Sequence, residues 1–221
     1  MLIVALPAYN EERYIKAMIT KVKQYADEVI VVNDGSNDDT AKIAELNGAT
    51  VVSHPENLGY GATIISILNE AKKREFDALV IIDADSQHEP RDIPKLVTPI
   101  FNGYDLVIGA RNWKDIPFYR YVGGKVLSIF TRILSGANVS DSQSGFRAYS
   151  VKAVKELEPK EKGMAISSEI VSLATKHNLK IIEVPISIKY TKDSSTINPV
   201  VQGFYTLFRI MVMIWERRVL K

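Results

Sequence analysis

Ala78-Leu79-Val80-Ile81-Ile82-Asp83-Ala84-Asp85-Ser86-Gln87-His88 is the stretch around which the chain is organised: an apolar run that ends abruptly in two carboxylates. A continuous apolar run of this length, bounded by polar residues, reads as a strand buried on both faces, as in a parallel sheet covered by helices. Ligands bind at the carboxyl ends of such strands. Two positions apart in extended chain, Asp83 and Asp85 project to the same side, roughly 6–7 Å from one another, and can converge on one divalent cation. No Lys or Arg lies between Arg74 and Arg91, while Glu75, Asp77 and Glu89 add negative charge. A hard cation with oxygen ligands, Mg²⁺ or Mn²⁺, would relieve that repulsion. Mg²⁺ commonly takes one or two carboxylates plus substrate phosphates, so the expected substrate is a diphosphate. The alternative is a solvated loop whose Asp or Ser caps the helix after Pro90.

Upstream of this stretch the same grammar repeats. Residues 2–6 make an apolar strand, and Pro7-Ala8-Tyr9-Asn10-Glu11-Glu12 is the loop that leads into a helix with Tyr14, Ile15, Met18, Ile19 and Val22 at helical spacing. Glu28–Val32 is a second strand, followed by the polar turn Asn33–Thr40 with its capping residues. Thr50–Ser53 is a third, followed by Asn57–Gly61 and a helix from about Ala62 to Lys73. Strands alternating with helices at these spacings indicate right-handed crossovers and a mostly parallel sheet, so the loops after residues 6, 32 and 82 open on one edge. Asp34, Asp83 and Asp85 then share a cleft. Gly59-x-Gly61 resembles the start of a dinucleotide fingerprint but lacks the third glycine and is separated from its strand by His54-Pro55-Glu56-Asn57; tight packing of the helix start is the other reading.

Downstream, the spacing predicts a helix over about Pro90–Phe101, a strand Asp105–Gly109 that delivers Ala110-Arg111-Asn112 to the same edge, and a helix over about Gly124–Leu134. Trp113–Tyr121, aromatic and basic, is a substrate-covering loop or an ordinary surface connection. Val139–Arg147 gathers hydroxyls, an amide, a carboxylate and a guanidinium around Gly145, heavy equipment for a turn. Glu169 falls in a helix, where a carboxylate is usually solvated, and Ile181–Ile186 is another strand. Val200–Trp215 is mostly apolar but holds Gln202 and Arg209, and the basic end Glu216–Lys221 follows. This run is short and interrupted for a spanning helix. It fits a helix lying in the membrane interface, packing on a partner subunit, or docked on the domain's own core.

With 221 residues, 46% hydrophobic and 24% charged, the chain suits one α/β domain, residues 1–198, with residues 199–221 as a C-terminal amphipathic helix. A formal charge of +2 is too small to argue for nucleic acid, and no nucleic-acid partner is expected. Zero cysteines exclude disulfides, thiolate metal sites and a Cys nucleophile. The start Met1–Pro7 has no basic region and reads as a core strand rather than a secretory signal.

Pro7-Ala8-Tyr9-Asn10-Glu11, Asn33-Asp34-Gly35-Ser36, Asp83–His88, Gly109-Ala110-Arg111 and Gln143-Ser144-Gly145-Phe146-Arg147 together resemble, in order and spacing, the family-2 inverting glycosyltransferases, and within them the dolichyl-phosphate sugar synthases. The resemblance covers roughly residues 1–190. It implies a single nucleotide-diphosphosugar transferase domain with a mostly parallel sheet flanked by helices, moving a hexose from a GDP-mannose or UDP-glucose type of donor to a polyprenyl (dolichyl) phosphate. Under it, Asp85, Arg111 and Arg147 are the catalytic candidates. Pro7, Tyr9, Glu11, Val32, Asp34, Asp83, Ala84, Gln87 and Lys189 are the nucleotide-sugar-binding ones, and Asp83 and Asp85 hold Mg²⁺ or Mn²⁺. It implies a cytoplasmic enzyme, peripheral on the cytoplasmic face of the membrane, and is compatible with a homo-oligomer. Two departures stand out. Asn33 occupies a position where the family often has Asp, and Lys189–Thr196 replaces a late Arg-x-x-Gly-x-Ser-Lys element. A hydroxyl acceptor, such as a glycan, remains the alternative, and a nicotinamide enzyme or a non-catalytic membrane- or partner-binding module are the readings of other classes.

Overall fold

A computed structural model describes residues 1–112, 118–189 and 199–219. The apolar runs become strands β1 (Leu2–Ala8), β2 (Glu28–Asn33), β3 (Thr50–Ser53), β4 (Ala78–Ile81), β5 (Leu106–Arg111) and β7 (Ile181–Ile186), joined by β6 (Arg147–Ser150). They form one seven-stranded sheet in the order β3-β2-β1-β4-β6-β5-β7. β1 runs parallel to β2 and β4, β2 to β3, and β5 to β7, whereas β6 is antiparallel to both β4 and β5.

The helices are α1 (Ile15–Val22), α2 (Thr40–Leu46), α3 (Tyr60–Ala71), α4 (Ile93–Phe101), α5 (Phe118–Ser135), α6 (Val151–Glu156), α7 (Ile166–Lys176) and α8 (Pro199–Val219). Side chains alternate across the sheet, so each inner strand feeds two cores. Ile3, Ala5, Ile30, Val32, Leu79 and Ile81 pack with α3, α6 and α7 on one face. Val4, Leu6, Val29, Val31, Val80 and Ile82 pack with α1 and α4 on the other. This is why β4 reads as an unbroken apolar run: Leu79 and Ile81 are as buried as Val80 and Ile82. A third, smaller core of Leu134, Ala165 and Ile210 seats α8 on α5 and on the loop before α7.

Several expectations are corrected. The helix after Pro90 begins as a 3-10 turn, Pro90–Asp92, and α4 proper starts at Ile93. The fifth strand runs from 106 to 111, two residues further than Gly109, so Arg111 is part of it. α5 begins at Phe118 rather than near Gly124, and residues 118–121 belong to it. Nothing lies within 4 Å of the Cβ that Gly123 and Gly124 lack, so packing does not require glycine at either position. β6 was not anticipated at all. Its four residues, Arg-Ala-Tyr-Ser, carry no apolar run, and it exists because the gap between β4 and β5 supplies partners on both sides. Glu169 is half-buried and does more than face solvent: its carboxylate accepts the main-chain N–H groups of Lys160 and Glu161 at 2.8–3.1 Å. The glycine pair before α3 serves close packing. A Cβ on Gly61 would lie 2.3 Å from the carbonyl oxygen of Glu161, and Gly59 has φ +96°. Residues 113–117 of the aromatic loop and 190–196 of the late loop lie outside the described residues.

Candidate active site

β1, β2, β4 and β5 all end on one edge of the sheet, and the chain turns that follow build the cleft. After β4 the main chain reverses at Ser86, which adopts φ +61°. The turn folds Gln87 back on Asp85, whose Oδ1 accepts Gln87 N–H at 3.0 Å and whose Oδ2 accepts the Gln87 side-chain amide at 2.5 Å. Lys189 N–H donates to the Gln87 carbonyl at 2.8 Å, and Lys189 Nζ pairs with Glu89 at 2.5 Å, so the segment after β7 is fastened to the acidic turn. Asp83 sits deeper. Tyr60 O–H donates to its Oδ1 at 3.4 Å, and His88 Nε2 lies 3.5 Å from its Oδ2. Gly145 presses on it so closely that a Cβ there would stand 2.4 Å from Asp83 Oδ2.

Glu11, in the loop after β1, completes a set of three carboxylates. Burial and then the charges of Asp85, Asp83 and Asp38 push it up to about 7. Burial, followed by the Asp83 charge, pushes Asp85 up to about 6. Burial and mutual repulsion thus raise two of these carboxyls above their ordinary range, and two of the donor groups are hard oxygens on one turn. That donor set fits Mg²⁺ or Mn²⁺. Among the described residues no three His, Cys, Asp or Glu side chains are arranged to hold a metal by themselves. Asp83 and Asp85 therefore fit a cation that draws its other ligands from substrate oxygens or water.

The β1 and β2 loops are sewn together. Asn10, at φ +55°, donates its N–H to Ser36 Oγ (2.9 Å) and accepts Asn37 N–H on its side chain (2.9 Å), and Glu11 N–H donates to Thr40 Oγ1 (2.7 Å). Pro7 is buried, while Tyr9 is exposed at the rim. Val32 and Ala84 bury their side chains in the two cores, so they can offer the cleft only main-chain atoms. Asp34 is 3% exposed. Its Oδ1 accepts Leu58 N–H at 3.0 Å and faces His54 Nδ1 at 2.7 Å, and its Oδ2 accepts Gly59 N–H at 2.9 Å. His54 Nε2 continues to Ser66 Oγ at 2.8 Å. Asp34 therefore ties the loop before α3 to the end of β2, and three of its acceptor positions are used in doing so.

The two arginines differ sharply. Arg111 stands at the rim of the cleft, its Nε and Nη2 each 2.7 Å from the Asp141 carboxylate. Arg147 is 2% exposed. Its guanidinium donates to the carbonyls of Ser142 (2.6 Å), Ser144 (2.9 Å) and Ser167 (3.2 Å), so Arg147 is turned into the protein, while Arg111 ends β5 on the edge where β4 also ends. His54, Tyr60, Asp141 and Glu183 escaped the sequence reading as site residues. Glu183 accepts the N–H groups of Ser140 and Asp141 at 2.9 Å. Only the crossing of distant segments reveals these roles; the one sequence signal was the polar density of Val139–Arg147.

An α/β domain whose parallel strands deliver paired aspartates and an arginine to one edge has the architecture of a nucleotide-diphosphosugar transferase. The chain belongs to that class as a member of a particular family, glycosyl transferase family 2, whose model matches residues 3–158. It is 35% identical to the UDP-N-acetylglucosamine–dolichyl-phosphate N-acetylglucosaminyltransferase of Methanococcus voltae, over 94% of each chain. It is 27% identical to the polyprenol monophosphomannose synthase of Mycolicibacterium smegmatis, over 84% of this chain and 76% of that one. Among solved structures, glucosyl-3-phosphoglycerate synthase from Mycobacterium tuberculosis, in complex with Mn²⁺, UDP and phosphoglyceric acid, shares the fold with a TM-score of 0.76 at 22% identity, covering 98% of this chain and 78% of that one. This chain is a glycosyltransferase.

Proposed function

We propose that the protein transfers a hexose, with inversion and in a metal-dependent reaction, from a nucleotide-diphosphate sugar to a polyprenyl phosphate at a membrane surface. The observation that carries the reading is the crowding of Asp83, Asp85 and Glu11 where β1 and β4 end, on the edge at which β5 ends with Arg111. A divalent cation held by Asp83 and Asp85 would supply electrophilic stabilisation of the departing diphosphate. Gln87 fixes the Asp85 carboxylate through two hydrogen bonds, and Arg111, held by Asp141 at the end of β5, is the cation this reading assigns to the departing phosphates. A phosphate acceptor is already anionic near neutral pH, so the chain need only orient it and requires no strong base. A hydroxyl acceptor would require one, and Glu11 is then the base to test.

The name of the Methanococcus voltae relative makes a UDP-linked N-acetylhexosamine the first donor to try, beside UDP-glucose and GDP-mannose. Membrane association is supported by the outer face of α8, where Phe204, Tyr205, Phe208 and Trp215 are each more than half exposed. Val122, Val126, Ile129 and Ile133 extend that apolar surface along α5. No described helix is long and apolar enough to cross a membrane.

The test is a screen of these donors with Mn²⁺ or Mg²⁺, offering a polyprenyl phosphate and a hydroxyl acceptor separately. Transfer to the lipid phosphate that stops with EDTA and returns with Mn²⁺ is the expected result. Undiminished turnover in EDTA would overturn the metal role, and transfer to the hydroxyl acceptor alone would overturn the acceptor.

A further inference from the structure

Asp83 and Arg111 lie at the ends of β4 and β5, which are not neighbours: β6 is inserted between them and runs the other way. The segment that enters β6, Asp141–Phe146, must therefore lie between the acidic and the cationic arm of the cleft. It touches both. Asp141 takes the Arg111 main-chain N–H (3.1 Å) as well as its guanidinium, and Gly145 abuts the Asp83 carboxylate with no room for a Cβ.

The back of the segment is locked twice. Arg147 holds its carbonyls at Ser142 and Ser144 and joins them to α7 through Ser167. Behind that lies a closed ring of side chains. Thr131 of α5 gives its proton to the Leu127 carbonyl (2.8 Å), which leaves its lone pairs to accept the hydroxyls of Ser142 (3.0 Å) and Ser168 (2.7 Å). The Gln143 amide donates to the same two hydroxyls, at 3.1 Å and 2.9 Å. Ser142, Ser168 and Thr131 are all essentially buried, so the two bonds at Thr131 Oγ1 to Ser142 and Ser168 form away from water, where losing an acceptor is costly.

We propose that Asp141–Arg147 is a spacer that sets the distance between the Asp83–Asp85 pair and Arg111, and that Thr131 is the positioning residue on which its ring turns. The proposal rests on the glycosyltransferase reading of the cleft for its catalytic consequence, but the spacer itself is a statement about the fold. Thr131 touches no reacting group; it acts through Ser142, and through it on Asp141 and Gly145.

The experiment compares Thr131→Val, which keeps the shape and removes the hydroxyl, with Thr131→Ser, which restores it, in the full chain. Amide hydrogen exchange should accelerate at least tenfold over residues 141–147 in the valine variant, with β1 and α1 unchanged and the serine variant close to wild type. Turnover per folded molecule, counted by nucleotide-binding stoichiometry, should fall at least tenfold with donor KM within about twofold, and serine should rescue it. If the valine variant does not fold, Ser168→Ala is measured in the same way. Unchanged exchange over 141–147, or a loss of activity that only tracks the folded fraction and is not rescued by serine, overturns the spacer. Wild-type protein that binds no nucleotide sugar would overturn the functional reading, while the exchange measurement still decides the spacer.

Discussion

Asp85 owes its place to two neighbouring chemical facts: the apolar strand beneath it ends at the cleft edge, and its own turn returns Gln87 to both of its oxygens. Its carboxylate is raised by burial and by Asp83, so the folded chain spends stability to keep it there. Asp85→Asn should therefore leave the melting temperature in EDTA unchanged or slightly higher, while transfer falls by about 10³, the scale of losing a principal electrostatic contact. A melting curve and a turnover assay on the same preparation check this; a variant that keeps a tenth of wild-type activity would refute it. Such residues are legible in a sequence because a carboxylate pair at the end of a buried strand contradicts its surroundings. Arg147 shows the limit of that signal: the family resemblance made it a catalytic candidate, and only tertiary contacts reveal its three carbonyl partners. Likewise Asp34 was visible as a strand-end acid, but its partners Leu58, Gly59 and His54 arrive from a separate strand-loop-helix unit.

At the level of elements, β1, β2 and β4 and the shared edge of their loops were readable because a strand buried on both faces must be continuously apolar. β6 was not, because pairing on two sides stabilises four residues whose composition says little. The true start of α4 was also hidden, and Asp92 shows what that junction does. It accepts Ser187 N–H at 2.6 Å and Lys95 Nζ at 2.7 Å, fastening the chain after β7 beside the acidic turn. Burial by itself would raise this carboxyl, but the Lys95 ammonium and the Ser187 N–H outweigh it and hold it below the usual value of 3.8. A carboxylate depressed in the folded state adds stability above its unfolded pKa and loses it as pH falls through the folded one. Asp92→Asn should thus cost about 1–3 kcal/mol at pH 7, as expected for losing a hydrogen bond to a charged, buried group. The gap from wild type should close below about pH 4. Denaturant melts of both proteins at pH 7 and pH 3 measure it, and an equal gap at the two pH values would contradict the assignment.

The whole molecule is polarised between a donor edge of carboxylates and a flank formed by α5 and α8. By sequence those two helices carry Arg120, Lys125, Arg132, Arg209, Arg217 and Arg218 against Glu216 alone, although the chain as a whole has a formal charge of only +2. Lys221, which the sequence reading added to this basic end, and the side chains of Arg120 and Arg218 lie outside what the structure describes. Arg209 is paired with Glu161 and Arg217 donates to the Leu134 carbonyl, but the excess of positive charge over the two helices still suits an anionic leaflet, and it disfavours a second copy of the same face, where like charges would meet. Each cation close to such a surface adds about 1 kcal/mol of attraction. Truncation after Asn198 should reduce co-sedimentation with anionic liposomes and transfer to a long polyprenyl phosphate, yet spare metal-dependent hydrolysis of the donor. Because α8 also buries Ile210 against Leu134 and Ala165, truncation uncovers a small core, so the double substitution Phe204→Ser with Phe208→Ser is the companion. It removes two exposed rings, 70% and 59% accessible, and leaves Ile210 in place. Both variants should bind liposomes more weakly than wild type, and wild-type binding should fall as salt rises. If the double variant sediments like wild type, or if it loses donor hydrolysis together with lipid binding, α8 serves the fold or a subunit contact and the membrane assignment fails.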